Sequence, residues 1–272
     1  MEYKVVKVER DGNIATITMN RPERLNALNP EITAELHAAL DEVGSDGNIR
    51  AVILTGEGRG FCSGADVTGM RAGAEGDTEA MEASRSTTLQ NTLSGRTIVQ
   101  LAIKIRSIPQ PVIAAVNGVA AGAGLGLAVN CDMRVASDQA RFASLFIKRS
   151  LTPDTGVSHM LPLLIGHGLA AEMALTGNLF DAQWAKEAGL VNKVVPHEKL
   201  LEEARTLAGD IAANPPVAVR LTKQLLHRNR LVELQQAIYN ESYNNGILRT
   251  TDDSKEAVLS FLEKRAAVFK GR

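Results

Sequence analysis

The stretch Pro111–Asp132, PVIAAVNGVAAGAGLGLAVNCD, limits what this chain can fold into more than any other. It starts with the β-branched apolar residues Val112, Ile113 and Val116 and passes through Asn117-Gly118. Glycines follow at 118, 122, 124 and 126, and then Leu125, Leu127, Ala128 and Val129. That pattern reads as a buried strand, a tight glycine-rich turn and a helix in quick succession. Without a Cβ, alternate glycines let a second backbone or a ligand come close. The first N–H groups of the helix have no partner inside it, and with the helix dipole they can hold a negative charge. The stretch alone leaves two readings open: an anion-binding turn, or small residues that seat a helix tightly on a sheet. A dinucleotide site fits poorly, because GAGLGL has no glycine at the sixth position of G-x-G-x-x-G and the motif lies mid-chain.

Length and composition remove several function classes. At 272 residues and 44% hydrophobic, the chain can build one large domain, with or without an appendage. A net charge of −1 offers no basic excess to displace counterions from phosphates, so no nucleic-acid partner is expected. Cys62 and Cys131 lie far apart among apolar or small residues and read as two reduced thiols. No cationic leader opens the chain, and no apolar run reaches the ~18 residues that span a bilayer. The expectation is a soluble, cytoplasmic protein with no membrane partner. No His/Cys/Asp/Glu cluster has metal-ligand spacing, and no G-x-S-x-G elbow occurs.

In chain order, Tyr3–Val8 and Ile14–Met19 flank Asp11-Gly12-Asn13 and predict a β-hairpin. Asn29-Pro30-Glu31 supplies an N-cap, a proline at the first helical position and an acid in the first turn. Ile32, Leu36, Leu40 and Val43 follow at helical spacing. Ala51–Thr55 is the next buried strand, giving β-β-α-β so far. Gly60-Phe61-Cys62-Ser63-Gly64-Ala65-Asp66 then repeats the motif of a strand running into a backbone turn. Thr68–Ser94, poor in large apolar residues, predicts an exposed segment able to serve as a lid. A helix from Ile98 ends before Pro109, Met133–Ser137 and Ala140–Phe142 are short strands, and a helix follows Leu151–Gly156. Leu169–Leu175 is helical, Asp181 caps a helix at Gln183–Ala188, and Val191–Val195 is the last strand. Beyond it helices are expected at Glu198–Ala213, Pro216–Asn229, Leu231–Leu248 and Ser254–Lys270. The main boundary falls near residue 200, between a mixed core at 1–200 and a helical tail at 201–272 whose apolar stripes call for packing on the core or another subunit.

Two turns, each after a strand and each opening a helix, can aim two backbone N–H groups at one oxygen. Asn20-Arg21-Pro22, Leu25-Asn26-Ala27-Leu28, Gly60–Asp66, Pro111–Asp132 and Ser260-Phe261-Leu262-Glu263-Lys264-Arg265 together resemble the enoyl-CoA hydratase/isomerase (crotonase) superfamily over nearly the whole chain. The resemblance implies an α/β fold, a crotonase-like spiral of repeated β-β-α units with a helical C-terminal region that builds a homotrimer or a hexamer (dimer of trimers). It implies an acyl-CoA thioester substrate and no cofactor beyond the coenzyme A that arrives with it. By resemblance, the Ala65 and Ala123 N–H groups form an oxyanion hole for the thioester oxygen. Coenzyme A would lie along Leu25, Ala27, Leu28, Ala65 and Asp66. Phe261 and Lys264 would approach its nucleotide from the C-terminal helix of a neighbouring subunit, Lys264 as a compact cation suited to phosphate.

The chain departs from the family's hydratases at both glutamates that handle the proton and water. The matching positions are Gly126 and Phe146, and neither transfers a proton. Asp154, in Leu151-Thr152-Pro153-Asp154-Thr155-Gly156, matches the aspartate of some isomerases and of a dehalogenase branch, and one carboxylate suffices to move a proton between α- and γ-carbons. The implied function is an enoyl-CoA isomerase of fatty-acid or related acyl-CoA metabolism. The alternatives are a hydratase with a non-family acid and a non-catalytic acyl-CoA-binding protein. Pro-Asp-Thr before a helix is also what an N-cap looks like. His159, one turn beyond Asp154, is a weaker candidate, and Asp66 is expected to cap the helix after its turn.

Overall fold

In the computed structural model, which describes residues 3–66, 90 and 92–272, the hairpin is β1 (Val6–Asp11) and β2 (Ile14–Met19), paired antiparallel. The first strand starts later than its sequence suggests because the Lys4 and Val5 N–H groups donate to the Glu35 carboxylate on the first helix rather than to a ladder. That helix, α1 (Pro30–Ser45), has Asn29 as its N-cap, with Oδ1 accepting from the Ile32 N–H at 3.0 Å. It buries Ile32, Leu36, Leu40 and Val43, as the spacing predicts.

The strands then alternate between two sheets. β3 (Ala51–Gly56), β5 (Val112–Val116), β7 (Met133–Ser137) and β10 (Lys193–Val195) extend the hairpin into a six-stranded sheet in the order β1-β2-β3-β5-β7-β10, parallel from β2 onward. β4 (Gly60–Cys62), β6 (Val119–Ala121), β8 (Arg141–Ala143) and β9 (Phe180–Asp181) form a four-stranded sheet in that order. Each of β3, β5 and β7 is thus followed at once by a strand of the other sheet, the repeated unit of a spiral. The apolar run after Pro111 is two strands rather than one, broken at Asn117-Gly118. A Cβ at Gly118 would lie 1.9 Å from the Arg59 carbonyl oxygen, so only glycine lets the chain cross there. Asn117 Nδ2 donates to the Gly58 and Gly60 carbonyls at 2.8 and 3.2 Å and ties this crossing to the preceding one.

The helices cover these sheets. α2 (Ile98–Ser107) is capped by Thr97, and every residue of α3 (Ala123–Asn130) is buried. α4 (Val157–Thr176) kinks at Gly166, whose φ of 74° interrupts the helical backbone, so the two helices expected here run end to end. α5 (Ala182–Glu187) has Asp181 as its N-cap. α6 (Leu200–Ala212) packs Leu200, Ala204 and Ala208 onto Ile53, Ile113 and Val135 of the large sheet. α7 (Pro216–Arg228), α8 (Leu234–Leu248) and α9 (Asp252–Glu263) complete the chain. The last helix is shorter than expected. Lys264 turns left-handed at φ 54°, Arg265 folds back onto Glu256, and the Asp253 carboxylate accepts from the Lys270 and Gly271 N–H groups. No helix among the described residues is long and apolar enough to cross a membrane.

Candidate active site

The two glycine turns meet. Gly64 has a φ of 104°, and a Cβ there would lie 2.9 Å from the Ala121 carbonyl oxygen and 3.6 Å from the Ala123 nitrogen. The first turn therefore needs its glycine to approach this closely, while Gly122 in the second meets its need through a φ of 54°. Leu28 and Ala65 form an isolated parallel bridge in which the Leu28 N–H donates to Gly64 O and the Asp66 N–H to Leu28 O. In a parallel bridge of this kind the Ala65 N–H points the other way. Ala123 is the first residue of α3, where an N–H has no intrahelical acceptor. Among the described residues neither the Ala65 nor the Ala123 N–H donates a hydrogen bond.

Both alanines line one cavity of about 110 Å³ together with Asp154. Ile98, Leu145, Phe146 and Leu151 give it apolar walls, and Arg149 adds a cation. Asp154 does not cap α4. The N-cap position is Gly156, at φ 77°, and no side chain bonds the helix terminus. The exposed Asp154 carboxylate accepts from its neighbour's hydroxyl, Thr155 Oγ1, at 2.6 Å, while its backbone carbonyl accepts from the Val157 N–H.

The loop that presents Asp154 is fastened to α3. A Cβ at Gly126 would lie 2.6 Å from Thr155 Cβ and 2.7 Å from Thr155 Cγ2, so the Thr155 side chain occupies the space a residue at 126 would need. The first hydratase-glutamate position is thus both without a carboxylate and filled. The second, Phe146, is a buried wall of the cavity. Asn130, 3% exposed, donates from Nδ2 to the Gly126 carbonyl at 2.8 Å and to the Thr155 carbonyl at 2.9 Å. Thr155 is held at φ 49°, an uncommon conformation for a β-branched residue that costs about 1–3 kcal/mol and persists only where its surroundings impose it.

Of the residues assigned to coenzyme A, one group is gathered here and the other is not. Leu25 and Leu28 run beside the Gly60–Asp66 turn, with the Ser63 N–H donating to Leu25 O. Arg21 secures the segment, donating to the Ala27 carbonyl and pairing with Asp66 at 3.1 Å. Buried Asn26 pins it to the neighbouring turn through the Glu57 and Gly60 carbonyls. The helix that Asp66 was expected to cap, and nearly all of the Thr68–Ser94 lid, lie outside the described residues. Phe261, 82% exposed, and Lys264 do not line this cavity within the chain. His159 lines a different cavity. Cys62 and Cys131 are unpaired and buried, and burial pushes both thiols up to about 12. Among the described residues no group of three or more His, Cys, Asp or Glu could hold a metal ion.

Comparison with known proteins assigns the class. The family model for enoyl-CoA hydratase/isomerase matches residues 9–272. A short-chain-enoyl-CoA hydratase of Clostridium acetobutylicum is 37% identical over 270 residues, 97% of each chain. A 1,2-epoxyphenylacetyl-CoA isomerase of Escherichia coli is 36% identical over 272 residues, 100% of each. The crystal structure of an enoyl-CoA hydratase from Bacillus anthracis superposes with a TM-score of 0.88 at 35% identity, covering 99% of this chain and 100% of that one. The chain belongs to the enoyl-CoA hydratase/isomerase family and has the crotonase fold, and so is an acyl-CoA enzyme.

Proposed function

We propose that the chain is an enoyl-CoA isomerase that shifts a double bond between the 3- and 2-positions of an acyl-CoA. The thioester oxygen accepts hydrogen bonds from the Ala65 and Ala123 N–H groups. Asp154 removes a proton from the α-carbon, leaving a dienolate whose charge rests on that oxygen, and returns the proton to the γ-carbon. Preorganised donors aimed at such an oxygen are each worth about 10²–10³ in rate, and a positioned acid–base group adds about 10²–10⁴. One observation carries the reading: Asp154 shares a cavity with Ala65 and Ala123 while Gly126 and Phe146 offer no carboxylate. Coenzyme A lies along Leu25, Ala27, Leu28 and Asp66. Residues 1–200 carry this site, and residues 201–272 contact neighbouring copies in a trimer or hexamer, in which Phe261 and Lys264 reach a neighbour's nucleotide. The exposure of Phe261, Leu262 and Leu259 supports that role for the tail.

Incubation with a 3-enoyl-CoA should yield the 2-enoyl-CoA, with solvent deuterium entering the product. Rapid formation of 3-hydroxyacyl-CoA from 2-enoyl-CoA, without double-bond migration, would instead make the protein a hydratase with an unassigned acid. Tight CoA-ester binding with no deuterium exchange would make it a non-catalytic binder.

A further inference from the structure

The two carboxylate oxygens of Asp154 are not equivalent. Oδ1 accepts from Thr155 Oγ1 at 2.6 Å, and among the described residues nothing donates to Oδ2. The torsion that turns a carboxylate about its last bond is broad and roughly two-fold, so an exposed aspartate with no such bond presents either oxygen. The Thr155 hydroxyl removes that freedom, and its own direction is fixed. Thr155 is 3% exposed, and its Cγ2 fills the space beside Gly126, where an added Cβ would come within 2.7 Å of it. A threonine carries methyl and hydroxyl on one carbon with a stiff χ1, so seating the methyl against α3 aims the hydroxyl.

The backbone on either side is held as well. Thr155 and Gly156 stand in succession at φ 49° and 77°, Asn130 Nδ2 donates to Thr155 O at 2.9 Å, and the Val157 N–H donates to Asp154 O at 2.9 Å. Every one of these contacts lies within residues 126–157, apart from the tail that meets neighbouring copies. An ionised carboxylate only accepts hydrogen bonds, and a protonated one donates from the oxygen that holds the proton. A proton on Oδ1 would meet the Thr155 hydroxyl hydrogen. A proton on Oδ2 leaves the 2.6 Å bond intact, so the hydroxyl suits Asp154 both before and after it takes a proton, provided that Oδ2 takes it.

We propose, resting on the isomerase reading of this site, that Thr155 is a positioning residue that reserves Asp154 Oδ2 for both proton transfers. Oδ2 takes the proton from the α-carbon, and the electron pair of that C–H bond passes into the dienolate. The same oxygen then gives its proton to the γ-carbon as the new C–H bond forms. Thr155 touches no substrate atom; it acts through Asp154 alone, by holding Oδ1 and so turning Oδ2 to the cavity.

Two substitutions separate the hydroxyl from the methyl, with turnover of a 3-enoyl-CoA by the full chain as the readout and melting curves to confirm folding. Thr155→Val keeps the methyl seat and removes the hydroxyl. It should lower kcat about 10–100-fold and leave KM within about twofold of wild type, as expected when ground-state binding is untouched. Thr155→Ser keeps the hydroxyl and should turn over well above Thr155→Val. In an Asp154→Asn background, Thr155→Val should cost no more than about twofold further, because a residue that acts only through Asp154 has no base left to position. Three results would each overturn the proposal. The first is wild-type kcat in Thr155→Val. The second is Thr155→Ser as slow as Thr155→Val, which would assign the effect to shape. The third is the full loss repeated in the Asp154→Asn background, which would give Thr155 a role of its own. Failure of the isomerase reading looks different: wild type does not isomerise, or Asp154→Asn turns over like wild type, and the positioning role then falls with it.

Discussion

Asp132 and Asp154 present the same functional group in opposite circumstances. Asp132 is largely buried and saturated: His227, Lys223 and the Val112 N–H converge on its two oxygens. Burial alone would raise its carboxyl, but the His227 hydrogen bond and the Lys223 charge carry it below the usual carboxylate range. Lys223 in turn is buried and also donates to the Gln110 carbonyl at 2.8 Å, which joins α7 to the strand before the active-site turn. The Asp154 carboxylate is exposed at the cavity and, among the described residues, accepts only from the adjacent Thr155 hydroxyl. An aspartate whose lone pairs are all spoken for holds a fold together. One that keeps oxygens free beside two unpaired N–H groups can exchange a proton with a substrate.

The contrast breaks most sharply at Asp154. Asp154→Asn should lower isomerisation about 10²–10⁴-fold while leaving stability within about 0.5 kcal/mol of wild type, as read from turnover assays beside denaturant melts. Wild-type turnover in this variant would remove Asp154 from the chemistry. Asp132→Ala should do the reverse, costing about 3–5 kcal/mol by stranding the buried Lys223 ammonium, which denaturation midpoints will report. The pH dependence follows from the sign of the shift. A carboxyl lowered in the folded state contributes fully above its unfolded value, about 3.9, and loses that contribution as pH falls through the folded value. Wild type should therefore lose stability on acidification below about pH 4 by a margin that Asp132→Ala lacks.

What the sequence makes legible is what depends on near neighbours. Asn29-Pro30 starts α1 and Asp181 starts α5 because a cap bonds within its own turn. The glycines at 64 and 122 announce two sharp turns because both stand at a positive φ, which glycine adopts without strain. Asp154 is legible as a candidate by its resemblance, and its freedom from capping is not, since Gly156 takes the N-cap through a backbone conformation. The break between β5 and β6 depends on the Arg59 carbonyl, far from Gly118 in sequence. The early end of α9 depends on the chain folding back through Arg265 and Glu256. The role of Asn130 likewise depends on a residue far off in sequence. A polar residue in an otherwise apolar helix signals that a buried amide needs partners, but nothing local says that one partner is the Thr155 carbonyl, 25 residues on.

Asn130 supplies the smallest test of the contrast, because it acts on Asp154 without touching the cavity. Its two Nδ2 protons are spent on Gly126 O and Thr155 O, one carbonyl on α3 and the other in the loop. Asn130→Ala leaves both carbonyls unpaired in a buried place, at a cost of about 1–3 kcal/mol in melting experiments. It also removes a restraint that helps keep Thr155 at φ 49°, beside its contact with Gly126. A relaxed Thr155 carries Asp154 with it, and a displacement of order 1 Å costs up to about 10²-fold in turnover. Asn130→Ala should therefore lose both stability and rate, where Asp132→Ala loses mainly stability and Asp154→Asn mainly rate. If Asn130→Ala melts lower yet turns over at the wild-type rate, contact with Gly126 alone fixes the loop, and Asp154 keeps its place without the amide.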